Sequence, residues 1–276
     1  MRTAVLLLAL GLAACNPAPE GEPVITTEIG GGSDDGAEIA SPEPASTPMR
    51  ASDCKPVSFE GARLTHCIAD PAKHAITTDL GPDDGAPYRS FAALSSGRGA
   101  SAPPVAFAMN GGMFEASGDP VGYYVEDAER LVELNRNDGP GNFHLKPNGV
   151  FFGSNGSWRV LDSETFYRTV GDRPQFGTQS GPMLVIDGTI HPEISEDGPS
   201  KALRNGVGVD AQGRAHFVIS ESPVSFGLFA RYFRDEAKTP NALFLDGNVS
   251  SLWDPASGRR DARAPLGPII VVETKQ

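Results

Sequence analysis

Hydrophobic positions along the chain fall in short runs of strand length, each closed by Gly, Pro, Asn, Asp or Ser. The runs are His74–Leu80, Val105–Met109, Val121–Val125, Phe143–Phe152, Met183–Ile186, Val207–Val209, Ala215–Ser220, Ala242–Leu245 and Ile269–Val272. Val57–Phe59 and Arg63–His66 alternate on either side of Glu60-Gly61-Ala62, the pattern of a hairpin. Helical spacing is rarer. Tyr88–Leu94 carries it, and so does Ser225–Glu236, where Phe226, Phe229, Ala230 and Phe233 share one face and Ser225 can cap the first turn. Many strands and few helices predict an α+β fold: a single domain with a largely antiparallel mixed sheet, not a doubly wound parallel one. Heptads, a Gly-X-Y period and apolar runs long enough for a multi-span membrane protein are absent.

The N-terminal segment follows a different pattern. Residues 1–14, MRTAVLLLALGLAA, form an apolar run behind one Arg, too short to span a bilayer and shaped like a secretory signal. Leu12-Ala13-Ala14-Cys15 resembles the lipobox of bacterial lipoproteins, which implies that Cys15 is the lipidated first residue of the mature chain. Asn16, where Asp would resemble an inner-membrane retention signal, points to the outer membrane of a Gram-negative envelope, on its periplasmic or surface face. Residues 15–49 hold six prolines, a glycine triplet and seven acids, with no Lys or Arg. Such a segment lacks the apolar surface to offset its ordering entropy and reads as a flexible tether. The globular domain is then residues 50–276.

Composition narrows the function classes. The 276 residues include 35 acids against 23 bases, a formal net charge of −12. That balance excludes nucleic acid as a partner and leaves the lipid anchor as the only membrane contact, since phosphate-rich surfaces are bound through Lys and Arg. Cys54 and Cys67 flank the predicted hairpin, and in an exported protein they read as a disulfide. Closing a loop of that size stabilises by roughly 3 kcal/mol in the chain-entropy model.

Four glycine-rich polar stretches lie where apolar strands begin or end, and these carry the candidate chemistry. They are Asn110-Gly111-Gly112, Gly177-Thr178-Gln179-Ser180-Gly181, Arg204-Asn205-Gly206 and Asp246-Gly247-Asn248. Each alone is an ordinary turn. Together they supply a carboxylate, a guanidinium, amide side chains and backbone donors, a set suited to a sugar bearing a phosphate.

The same stretches resemble the phosphodiester glycosidase family, which includes the N-acetylglucosamine-1-phosphodiester α-N-acetylglucosaminidase catalytic domain. The likeness covers roughly residues 55–274 and is strongest to a bacterial branch with similar strings. Those strings match Asn110 to Phe114, Pro147 to Phe152, Thr178 to Leu184, Arg204 to Gly208 and Ala242 to Gly247. After the Asp, family members carry a run resembling GGGSS, whereas this chain has Gly247-Asn248-Val249-Ser250-Ser251.

The resemblance implies an envelope-anchored hydrolase that cleaves a glycosyl–phosphodiester bond in a cell-envelope or exopolysaccharide glycan. A phosphate leaves readily, so charge stabilisation outweighs the need for an acid. Asp246 is the first choice for an essential carboxylate and Glu221 the second, with Arg204 holding the phosphate. Asn110, Gln179 and Asn205 would orient sugar hydroxyls, and Gly111, Gly112, Asn148, Thr178, Ser180 and Gly247 would complete the binding set. No metal ligands and no firm cofactor are predicted, although Asp246 could hold a divalent cation with neighbouring oxygens. Two alternatives remain: a glycan-binding lipoprotein without turnover, favoured by the altered loop after Asp246, and a metal-assisted phosphodiesterase attacking the P–O bond.

Overall fold

A computed structural model describes residues 50–82 and 85–275. The signal segment, Cys15 and the tether lie outside the described residues.

Three large antiparallel sheets and a two-stranded one, Lys201–Ala202 with Val224–Ser225, make up the domain among the described residues. The first has seven strands in the order Cys54–Phe59, Ala62–Ala69, Ala215–Ser220, Asn205–Val209, Asn241–Asp246, Met183–Ile186 and Thr189–Ile190. The second has five: Arg259–Arg260, Leu252–Asp254, Val105–Asn110, Ile269–Thr274 and His74–Asp79. The third orders Glu129–Val132, Tyr124–Glu126, Phe176–Ser180, Gly149–Ser154 and Ser157–Asp162.

Side chains alternate across each strand, so each sheet has two faces to cover. The inner faces share one core, where Phe107 of the second sheet, Phe151 of the third and Phe217 of the first meet at ring-centroid distances of 5.4 and 5.6 Å. Each outer face is covered by one short helix. Helix α1 (Phe91–Gly97) lays Phe91 and Leu94 on the second sheet. Helix α2 (Ser163–Thr169) sets Phe166 on the third. Helix α3 (Phe226–Arg231) sets Phe229 on the first, with Phe233 following from the π-helical turn Tyr232–Glu236. Ser225 caps α3 as its position suggests, its hydroxyl accepting from Leu228 N.

The predicted hairpin and its bridge are both present. Cys54 pairs with Cys67 across the first two strands, and the two are joined as a disulfide. Other boundaries differ from expectation. The run Phe143–Phe152 divides into a 3-10 turn at Asn142–His144 and a strand at Gly149–Ser154, with Pro147, which lacks an N–H for a ladder, between them. Val121–Val125 forms strand only over Tyr124–Glu126. Phe176–Ser180, which reads as a loop by its polarity, is a buried central strand.

Candidate active site

Strand ends from all three sheets meet at one end of the domain. Asn205, which opens its strand, is the register partner of Asp246, which closes the next one. The Asn205 carboxamide donates to the Asn110 carbonyl at 2.9 Å and to Asn110 Oδ1 at 3.0 Å, tying the first sheet to the second. Its own Oδ1 accepts from Asp246 N at 2.9 Å and from the Ser250 hydroxyl at 3.2 Å. Asn110 Oδ1 also accepts from Ser251 N at 2.8 Å. The third sheet joins through Ser180, whose hydroxyl donates to the Leu245 carbonyl at 2.6 Å, and through Thr178, whose hydroxyl accepts from Gly112 N at 3.0 Å. Gly112 is required here, because a Cβ would lie 2.1 Å from the Gln179 carbonyl oxygen.

Counting donors and acceptors separates the predicted amides. A carboxamide makes at most four hydrogen bonds, two given and two accepted. Asn205 makes all four to protein groups, so it braces the mouth and has no capacity left for sugar. Gln179 is spent in the same way and faces outward. Its Oε1 accepts from Tyr123 N and Asn135 N, and its Nε2 donates to the Asn135 carbonyl and the Ser163 hydroxyl. Asn110 is different: its Nδ2 is buried and has no partner. The glycine amides are also occupied, Gly111 N by the Pro268 carbonyl, Gly112 N by Thr178 and Gly247 N by Asp246 Oδ1 at 2.6 Å. These donors shape the site instead of facing a ligand. Asn148 donates to the Phe143 carbonyl at 2.8 Å and lines a separate small pocket beside Ser163.

The three charged candidates stand in unlike surroundings. Burial pushes the Asp246 carboxyl up to about 6, with the Gly247 N–H pulling the other way, and no cation pairs with it among the described residues. Arg204 is 1% exposed. Its Nε donates to the Val224 carbonyl at 2.9 Å and one terminal nitrogen to the Ser200 carbonyl at 3.0 Å, while the guanidinium lies 3.4 Å over the Phe226 ring. Burial lowers it to about 10, so it stays protonated near neutrality, without a carboxylate partner among the described residues. Glu221 is ion-paired to Arg259 at 2.5 Å and accepts from the Thr65 hydroxyl at 2.6 Å. A paired carboxylate is a poor choice for a second catalytic acid. For a divalent cation the donor set is thin, since no group of three or more His, Cys, Asp or Glu gathers among the described residues.

Residues 104–272 match the family described as phosphodiester glycosidase, which is more than half of the chain. The chain belongs to the phosphodiester glycosidase family. All five sequence stretches that resembled the family fall inside the matched span. An uncharacterised Escherichia coli (strain K12) protein, YigE, is 35% identical over 171 residues, covering 62% of this chain and 66% of YigE, just short of two thirds of its length. The zebrafish N-acetylglucosamine-1-phosphodiester α-N-acetylglucosaminidase catalytic domain, auto-inhibited by its pro-peptide, has a similar fold: TM-score 0.52, 13% identity, 81% of this chain and 82% of that one covered. A hypothetical protein from Synechocystis superposes with a TM-score of 0.51 at 14% identity, covering 80% of this chain and 61% of that one.

Within this phosphodiester glycosidase domain, Arg259 went unnoticed in the sequence. Its guanidinium bridges Glu221 and Asp261, and Asp261 Oδ2 accepts from Leu252 N just beyond the Ser250-Ser251 turn. Its signal was faint: Arg259-Arg260-Asp261 follows the Gly258 turn on an edge strand two residues long. The imidazoles sit elsewhere. His66 and His216 hydrogen-bond at 2.9 Å between Tyr232 and Asp210, and burial lowers both, His66 to about 4.

Proposed function

We propose that the domain hydrolyses a glycosyl–phosphodiester bond, with Asp246 as the essential carboxylate. The observation that carries this reading is Asp246 itself: a half-buried carboxyl without a cationic partner among the described residues, on a turn whose backbone is fixed by Asn205 and Asn110. A phosphate leaving group needs little protonation, so the ionised form is the working one, attacking the anomeric carbon or activating water. Activity should then rise with pH through about 6. Arg204 supplies a buried positive charge at the adjacent strand mouth, and one of its terminal nitrogens makes no hydrogen bond among the described residues.

The substrate in this reading is a sugar-1-phosphodiester of a cell-envelope or exopolysaccharide glycan, reached from a lipid anchor at Cys15. Incubating the protein with the methyl phosphodiester of N-acetylglucosamine-1-phosphate in heavy-oxygen water tests the chemistry. Label in the released sugar supports it, and label in the phosphate assigns a phosphodiesterase instead. Binding with no product would leave glycan capture as the role. Palmitate incorporation in cells, lost in Cys15→Ser, tests the anchor.

A further inference from the structure

The outer face of the third sheet holds a groove of about 740 Å³ between the hairpin of Tyr124–Glu126 and Glu129–Val132, the segment after it, and α2. It lies across the sheet from Asp246. Gly177 and Gln179 face the groove side, whereas Thr178 and Ser180 face the mouth. Tyr123 lies in this groove, 5% exposed, packed edge-on against Phe166 at 4.9 Å. A Cβ on Gly177 would come within 2.9 Å of its ring, so the glycine lets the tyrosine lie on the strand.

The Tyr123 hydroxyl has no hydrogen-bond partner among the described residues, although the rest of the side chain is buried. Burial pushes this phenol above its ordinary range, against the pull of the Arg130 and Arg173 charges, so it remains a donor. At the rim, Tyr167 is 60% exposed, and the Arg136 guanidinium lies 4.0 Å over its ring. Arg136 is itself gripped by both oxygens of Glu164 at 2.9 and 2.8 Å, and Arg130 pairs with Glu133 at 2.8 Å. Arg173 makes only a 3.3 Å bond to the Ala128 carbonyl.

A lone anion is not what this wall recognises, because Glu133 and Glu164 answer the charge of two of its three arginines. A guanidinium–carboxylate pair instead offers donors and acceptors side by side, matching hydroxyls that both give and accept. The Tyr167 face that Arg136 leaves uncovered accommodates the C–H side of a pyranose ring. From this juxtaposition we infer that the groove is an oligosaccharide-binding site separate from the Asp246 mouth, with Tyr167 as its platform and the Tyr123 hydroxyl at its floor.

Titrating the full chain with chitotetraose, cellotetraose and tetragalacturonate, followed by backbone amide NMR, tests this assignment. At least one of the three should shift amides of residues 123, 130–136 and 164–173. Binding only of the galacturonate supports the site and assigns it to acidic glycans through Arg173. Tyr167→Ala should weaken binding roughly tenfold and Tyr123→Phe several-fold, both with unchanged melting. Asp246→Asn should bind as the parent does, which separates this site from the hydrolase reading: loss of turnover leaves it standing. The inference is overturned if none of the three probes shifts these amides, if shifts appear at the Asp246 mouth alone, or if both tyrosine variants bind at parental strength.

Discussion

Around Asp246 the amides and hydroxyls are buried and bonded to one another, whereas at the rim of the Tyr123–Tyr167 groove the polar side chains are exposed and paired as ions. Asn205 is 0% exposed and makes every hydrogen bond it can, while Tyr167 is 60% exposed and is held by a single stacked guanidinium. The difference separates two tasks. Reaction chemistry requires a carboxylate whose position and proton affinity are set before substrate arrives, and a buried hydrogen-bonded brace does that. Holding a flexible chain requires surfaces that trade water for hydroxyls without reorganising the fold.

The largest effect should come from the mouth. Asp246→Asn is expected to lower the turnover of a sugar-1-phosphodiester by ~10³-fold or more, measured by steady-state sugar release. Next is the brace. Asn205→Ala strands Asp246 N and removes the donor to Asn110, so urea unfolding should show a loss of about 3 kcal/mol, with turnover falling too. An Asn205→Ala protein of parental stability would dismantle the picture of Asn205 as the brace of the mouth.

The third effect concerns pH. Asp246 holds its proton up to about 6 in the folded protein, above the ordinary carboxylate value of 3.8. The folded state therefore binds more protons between those values, and stability falls as pH rises through that window, then levels off. The cost near neutrality is on the order of 3 kcal/mol. Asp246→Asn should recover it, melting higher than the parent at pH 7 and no higher at pH 4. The smallest effect lies in the groove, where Tyr167→Ala should change unfolding free energy by less than about 0.5 kcal/mol.

The sequence disclosed the elements that follow a period and the residues at their ends. Ala215–Ser220 and Met183–Ile186 were legible to the residue, and the Cys54–Cys67 hairpin emerged from alternation plus two cysteines. The convergence of Asn110, Asn205 and Asp246 was also legible, because each ends or opens an apolar run. What each side chain does there was not. Whether Asn205 faces sugar or protein depends on which strand lies beside it, and the contact with Asn110 spans 95 residues. The same holds for Phe176–Ser180, whose Gly, Thr, Gln and Ser look like loop until three sheets close around them. Arg259 escaped notice because its partners Glu221 and Thr65 come from remote strands.

Phe176–Ser180 serves both regions at once, odd positions toward the groove and Thr178 and Ser180 toward the mouth. Because side chains change sides at every step along such a strand, lengthening or shortening it by one residue would exchange the two sets together. This segment can therefore diversify only by replacement at fixed length, and relatives of different specificity should differ from it in letters, not in spacing.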